Sequence, residues 1–325
     1  MKGLLSPTRL GRKGLAYTTI ALILVTAMAL LMRNHAGREL LENPAEARVR
    51  SMDQFITDLH QDAPRATGII AYRAFLAMDD EMANASAYFS SPSVAMQEAL
   101  LNGTLHGHTS SLLVNSTLTG YLSRVQELTS DIGILTALAV SNISLSQESP
   151  WHVRVSYLLT VNLTDARGVA RWDYTEVIVA SIPIVGLRDP LHTVGTKGLV
   201  PAFIQPHNGS ALVNGLDTTE LQRLINNSQY LESANAPSFL DRLSGNLTSS
   251  EQGIQTIVNI GALLDQGVTI HDASRVDYLY FDNESMGAMG SLACNFANTS
   301  LPWLALDIAH LDDFELTGLN YTSCG

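Results

Sequence analysis

The chain has 325 residues and a mass of 35.1 kDa, more than one small core needs and enough for an anchor with one or two domains. It carries 31 acidic and 19 basic residues, a net charge of -12, which argues against a nucleic-acid partner. A hydrophobic content of 46% excludes a disordered chain, and two cysteines exclude a cysteine-rich zinc fold or a dense disulfide scaffold.

The first 33 residues hold no acid, and their bases are Lys2, Arg9, Arg12, Lys13 and Arg33. Leu15 to Met32 is uncharged and apolar, and at ~1.5 Å per residue its 18 residues reach roughly 27 Å, close to a bilayer core. The expected layout is a basic cytoplasmic leader at 1–14, a transmembrane helix at 15–33 and an extracellular region at 34–325. The basic flank sets this N-in orientation. The lipid bilayer is therefore an expected partner, met through residues 15–32.

Arg12-Lys13-Gly14 followed directly by an apolar helix resembles the leader of type IV pilin-like proteins, the class III signal peptides of archaea. The resemblance implies cleavage after Gly14, with Leu15 as the new N-terminus and the apolar helix retained. Thr19 stands where bacterial pilins carry a Glu.

Asn43-Pro44-Ala45-Glu46 reads as a helix start, with Asn as cap, Pro at the first position and Glu at the third. Met52, Phe55, Ile56 and Leu59 form an apolar stripe, and Pro64 and Gly68 predict an interruption. A second helix is expected to Met82, others over Val94–Leu101 and Thr109–Thr129, so that 34–130 reads as a helical stalk. In the last of these Leu118, Tyr121, Leu122, Val125 and Leu128 make the stripe.

From Ala137 the period becomes two, and strands near 138–146, 152–164 and 172–184 predict an antiparallel meander within a β lobe at 131–204. Val153, Val155, Tyr157, Leu159, Val161 and Leu163 share the inner face, which puts Asn162 on the wet one. Residues 205–250, rich in Asn, Ser, Gly and Thr, read as a connection with a short helix at Thr218–Leu224. The remaining 251–325 predicts a C-terminal α+β lobe: a helix from Ile254 to Gly267, then strands at Val268–Ile270, Val276–Phe281, Leu304–Ile308 and Phe314–Thr322. The fold class expected is α+β.

Ser51–Leu59, the run Ile184-Val185-Gly186-Leu187-Arg188-Asp189-Pro190-Leu191 and Pro237-Ser238-Phe239-Leu240 resemble uncharacterised archaeal membrane-anchored surface proteins. That resemblance carries no catalytic residue.

Eleven N-glycan acceptor motifs follow the anchor: Asn84, Asn102, Asn115, Asn142, Asn162, Asn208, Asn226, Asn246, Asn283, Asn298 and Asn320. The composition gives about three by chance. Cys294 and Cys324 are the expected disulfide pair in an oxidising compartment.

No P-loop, dinucleotide fingerprint, HExxH, CxxC or GxSxG is present. His106-Gly107-His108 reads as an exposed loop in preference to a metal pair. Asp307, His310, Asp312 and Asp313 form the densest ligand-type cluster and read as a polar turn before a calcium site. His271-Asp272 does not make a triad if its neighbours point to opposite strand faces. Trp151, Trp172 and Trp303 read as packing residues before a sugar platform.

The function expected from these features is that of a single-pass, N-glycosylated surface protein with a structural or adhesive role, in a pilin-like variant if the leader is cleaved. It is expected to be no enzyme, to hold no cofactor or metal, and to meet cell-envelope or pilus-like proteins but no nucleic acid. The alternative is a membrane-tethered extracellular hydrolase acting on cell-envelope polymers through Asp307, His310 and Asp312.

Overall fold

The computed structural model describes residue 28 and residues 44–268, 271–282, 293–296, 300–321 and 324. The leader, the apolar segment apart from Met28, the Gly14–Leu15 cleavage position, Asn43, the expected strand at 269–270 and the acceptors Asn283 and Asn298 lie outside these residues. Among the described residues no helix is long and apolar enough to cross a membrane. The chain divides into two units, residues 1–57 with 167–170, and residues 58–166 with 171–325. Everything below concerns the second, apart from the start of the first helix.

The fold is α+β, with a helical N-terminal region and mainly antiparallel sheets. Helix α1, Pro44–Ala85, is continuous through Pro64 and Gly68, against the predicted interruption. Pro64 cannot donate to the fourth residue before it, a cost of roughly 3 kcal/mol. Burial on one stripe opposes that cost: Ala63, Thr67, Ile70, Ala74, Phe75 and Met78 are all buried at helical spacing. Gly68 faces open space and strains nothing.

Next come α2 (Pro92–Asn102), a two-residue hairpin of β1 (Thr104–Leu105) and β2 (His108–Thr109), and α3 (Leu118–Asp131). The last helix begins nine residues later than the sequence predicts. Asn115 adopts a left-handed φ of 58°, which ends any earlier helix, and the Thr117 hydroxyl caps the new one by accepting from Gly120 N at 3.0 Å. It buries Leu118 and Leu122 but leaves Leu128 57% exposed, so the predicted stripe is shorter than read.

Strands β3 (Ile134–Ser149), β4 (His152–Asp165) and β5 (Arg171–Pro183) form the expected meander in the order β3-β4-β5. The β4–β5 register is unbroken from His152↔Pro183 to Thr164↔Arg171. In β3 the register shifts between Ser141 and Ser144, where Asn142 has a φ of 52°. The extra residue keeps both Ser141 and Asn142 on the exposed face and returns Ile143 and Leu145 to the inner one. Val153 to Leu163 bury alternate side chains on the inner face of β4 as predicted, while the outer face is wet.

The helices are not a stalk standing off the sheet; they lie on it. The Thr67 hydroxyl meets Tyr157 Oη at 2.9 Å, His60 Nε2 lies 2.6 Å from Glu176 Oε2, and Tyr121 donates to Asp62 at 2.9 Å. An apolar helix stripe and an apolar sheet face bury each other, which a projecting stalk would leave in water.

Residues 184–321 follow with short elements: α4 (Pro190–Gly195), β6 (Gln205–Pro206), α5 (Thr219–Asn226), β7 (Gln229–Glu232), α6 (Phe239–Leu243), β8 (Ile254–Gln255), α7 (Ile260–Asp265), α8 (Asp277–Tyr280), β9 (Cys294–Phe296), β10 (Leu301–Leu306) and α9 (Ile308–Leu311). Strand β7 pairs with β6 in parallel and with β8 in antiparallel. The segment 205–250, read from composition as a connection, supplies Leu212, Leu221, Leu224 and Ala236 to the same core as Ile257, Phe296, Leu304 and Phe314.

Three predictions fail here. Ile254–Gly267 is a strand followed by a short helix, because Ile254 and Ile257 join β-type pairings and Asn259 starts α7 by accepting from Ala262 N. Val276–Phe281 is a helical turn, not a strand, closed by Tyr280 N on the Val276 carbonyl at 2.8 Å. Residues 314–321 form turns around a buried Phe314, Leu316 and Leu319.

Candidate functional site

The most concentrated chemistry in the described chain is a sealed charge centre that joins α4, α6 and α8. Arg242, on α6, is completely buried, as are the carboxylates of Asp189 and Asp277. Its Nη1 donates to Asp189 Oδ2 and Asp277 Oδ2, each at 2.6 Å. Nη2 donates to Asp277 Oδ1 at 3.4 Å and to the Ile254 carbonyl, and Nε donates to the Pro237 carbonyl at 3.4 Å. All five guanidinium donors are thus used, as a buried arginine requires.

Local sequence places each member. Asp189 precedes Pro190, and its Oδ1 caps α4 by accepting from Leu191 N at 2.7 Å. Ser238 and Asp241 form a capping box that starts α6 and aims Arg242 inward. Gly253 lets the chain carrying Ile254 pass close by: a Cβ there would lie 2.0 Å from the Ala236 carbonyl oxygen. Tyr230 from β7 donates to Asp189 Oδ2 at 2.8 Å.

The two carboxyls differ. Burial pushes Asp189 up, but the Arg242 guanidinium, then the neighbouring His192 and the Tyr230 hydroxyl, outweigh it and hold the group well below the usual carboxylate range. Burial also pushes Asp277 up, Arg242 opposes it, and the charge of Asp189 adds to the rise, so Asp277 stays above the usual range. Asp189, His192 and Asp277 have one ligand atom each within 4.8 Å of one another, a metal-like constellation. The guanidinium takes the cation's place between the carboxylates, and His192 Nδ1 stands 3.9 Å from Asp189, beyond hydrogen-bond reach. This centre is a structural lock with no opening to a substrate.

The sequence-predicted cluster near the C-terminus is only partly assembled. Asp307 caps α9 by accepting from His310 N at 3.0 Å, and its Oδ1 lies 2.5 Å from His310 Nδ1. In the tautomer this pairing selects, His310 Nε2 accepts from the Tyr278 hydroxyl at 2.7 Å. Burial drives the Tyr278 phenol far above its ordinary pKa, so it stays protonated in a position where a triad would need a nucleophile. Asp313 turns instead to Gln255 Nε2 at 2.7 Å and Ser233 Oγ at 3.3 Å, and Asp312 is exposed. The four groups do not converge on a cation.

His106 and His108 are not joined either. His106 sits at a left-handed hairpin tip with Nδ1 3.4 Å from Glu81, while Glu98 accepts from the backbone of His106 and Gly107. His271 packs edge-on against Tyr280. Cys294 and Cys324 are disulfide-bonded, with Cα atoms 4.2 Å apart.

Of the nine acceptor asparagines described, Asn84, Asn102, Asn115, Asn142, Asn208, Asn226, Asn246 and Asn320 are exposed, and Asn162 is half-buried on the outer face of β4. Sequence reasoning missed Asp189, Tyr230, Arg242 and Asp277. The legible signals were the Asp-Pro helix start and the Ser-x-x-Asp box around a lone arginine. Neither a protein-family model, nor a curated protein, nor a solved structure matches the chain.

Proposed function

We propose that this chain is a single-pass, N-in surface protein whose extracellular part is N-glycosylated and serves a structural or adhesive role, without catalysis. The apolar run at 15–32 is its bilayer anchor, and cleavage after Gly14 gives the pilin-like variant. The observation that carries the reading is the set of eleven acceptors, about four times the chance number, with eight of the nine described ones exposed. A bulky glycan is tolerated only at such positions. The Cys294–Cys324 bond supports the same compartment.

The hydrolase alternative draws on the pairing of Asp307 with His310. The burial of Tyr278 on the far side of that imidazole, and the distance of Asp312 from the pairing in role, weigh for the non-catalytic reading.

Mass spectrometry of the protein from its native membrane tests the proposal. Glycans are expected at several acceptors, with an N-terminus at Leu15 if the pilin-like variant holds and at Met1 if it does not. Bare asparagines throughout would overturn the extracellular reading.

A further inference from the structure

Strand β5 is 13 residues long and lies at an edge of its sheet. Its register with β4 is unbroken, so the strand is regular along its whole length. Ile184 N donates to the Trp151 carbonyl at 3.0 Å, on the β4 side. Backbone groups two residues apart in a strand point the same way, so the even-numbered residues of β5 turn theirs to β4. The odd-numbered ones, from Arg171 to Pro183, turn theirs outward. Among the described residues no backbone hydrogen bond reaches that outer edge.

An open edge is a template for another strand, and proteins block it with a short strand, a bulge, a lysine or a proline. At the opposite edge β3 is blocked in this way: its register shifts between Ser141 and Ser144, and Asn142 in that shift is a glycan acceptor. Strand β5 is about twice the usual length and has no bulge. It contains no lysine and none of the eleven acceptors, and its one proline is the last residue. Beyond Asp173 its outer-face side chains are Thr175, Val177, Val179 and Ser181, with Val177 62% exposed.

This edge is self-complementary. Antiparallel pairing with its own copy overlaps all 13 residues only when a two-fold axis passes through Val177, the midpoint. That register opposes Val177 to Val177, Thr175 to Val179, Asp173 to Ser181 and Arg171 to Pro183. On the inner face it sets Glu176 against Ile178 and Tyr174 against Ala180. No like charges meet, whereas an axis at Asp173 or Glu176 would face each carboxylate with its own copy. The β-branched residues at the centre suit cross-strand packing. Edge pairing also leaves the outer face open, with the acceptors Asn142 and Asn162 on it.

We propose that β5 pairs in antiparallel with β5 of a second copy of this chain, about an axis at Val177, so that two three-stranded sheets become one. The inference deepens the adhesive reading by giving it a partner, and it rests on that reading for its meaning. The pairing itself needs neither glycan nor anchor. Bare asparagines would therefore overturn the extracellular reading and leave the pairing standing.

Sedimentation of the full-length chain in detergent micelles tests the proposal, and a dimer is expected at about 50 µM. Val177→Lys sets two ammonium groups against each other at the axis, and Val177→Pro removes an outward N–H without touching the β4 ladder. Each is expected to weaken the dimer about tenfold or more. The native chain has no free cysteine among the described residues, so an added thiol is a clean probe. A short bismaleimide should link two copies of Val177→Cys and not of Thr160→Cys, which lies on β4. Dimers undiminished by both Val177→Lys and Val177→Pro, in proteins of native circular dichroism, would put the contact elsewhere and overturn the proposal. Equal linking of the two cysteine variants would do the same. A monomeric native chain would also overturn it: slow hydrogen exchange at the Val177 and Val179 amides would then assign the edge to a segment of the same chain, and fast exchange to a partner of different sequence.

Discussion

Arg242 is the side chain on which the most depends, because two buried carboxylates lean on one guanidinium. Arg242→Met leaves both uncompensated and is expected to destabilise the protein by about 3–5 kcal/mol in urea unfolding. Asp277→Asn keeps the Arg242–Asp189 pair and is expected to cost less than half of that. The pH dependence separates the two carboxyls. Asp189 has a folded pKa below 3.8, so its contribution is complete above that pH and is lost as pH falls through the folded value. Asp277 has a folded pKa above 3.8, so its contribution is complete below that pH and is lost as pH rises through the folded value. The cost of Asp277→Asn should therefore shrink as pH rises from about 4 to 7, which urea midpoints across that range would show. A cost that grew with pH would contradict the assignment. The sequence showed only the local helix starts at Asp189 and Ser238 and not their meeting, since the members of this centre are separated by 53 and 35 positions and converge only through folding.

At the scale of elements, the long periodic ones were legible and the short ones were not. The sheet β3-β4-β5 follows from alternation over more than a dozen residues; in α1 the helical stripe was legible, but its continuity through Pro64 was not, because Pro64 and Gly68 predicted a break that packing overrides. Elements of four to six residues such as α8 and α7 have too few turns to express a period, and neighbours decide their state. The turn at α9 is instead fixed by Asp307, which caps the helix and orients His310. Asp307→Ala is expected to cost about 1–2 kcal/mol in thermal or urea unfolding. Burial raises the Asp307 pKa, but the His310 contacts outweigh it and lower it overall. This contribution too is present above pH 3.8 and fades as pH falls through the folded value, so acid should erase the difference between Asp307→Ala and the native protein.

Across the whole molecule, the Cys294–Cys324 bond closes a span of 30 residues. In the chain-entropy view that bond contributes ~3–4 kcal/mol, and Cys324→Ser should lower Tm by roughly ten degrees. An unchanged Tm would mean that the bond is not formed in the native protein. Charge, the apolar run at 15–32, the acceptor motifs and the period of each long element were determined by the sequence alone, because each is a property of neighbouring residues along the chain. The helices lying on the sheet and the guanidinium in a place suited to a metal were decided only by tertiary structure. Each of these depends on which distant surfaces exclude water together, and burial of that kind has no signature in local spacing.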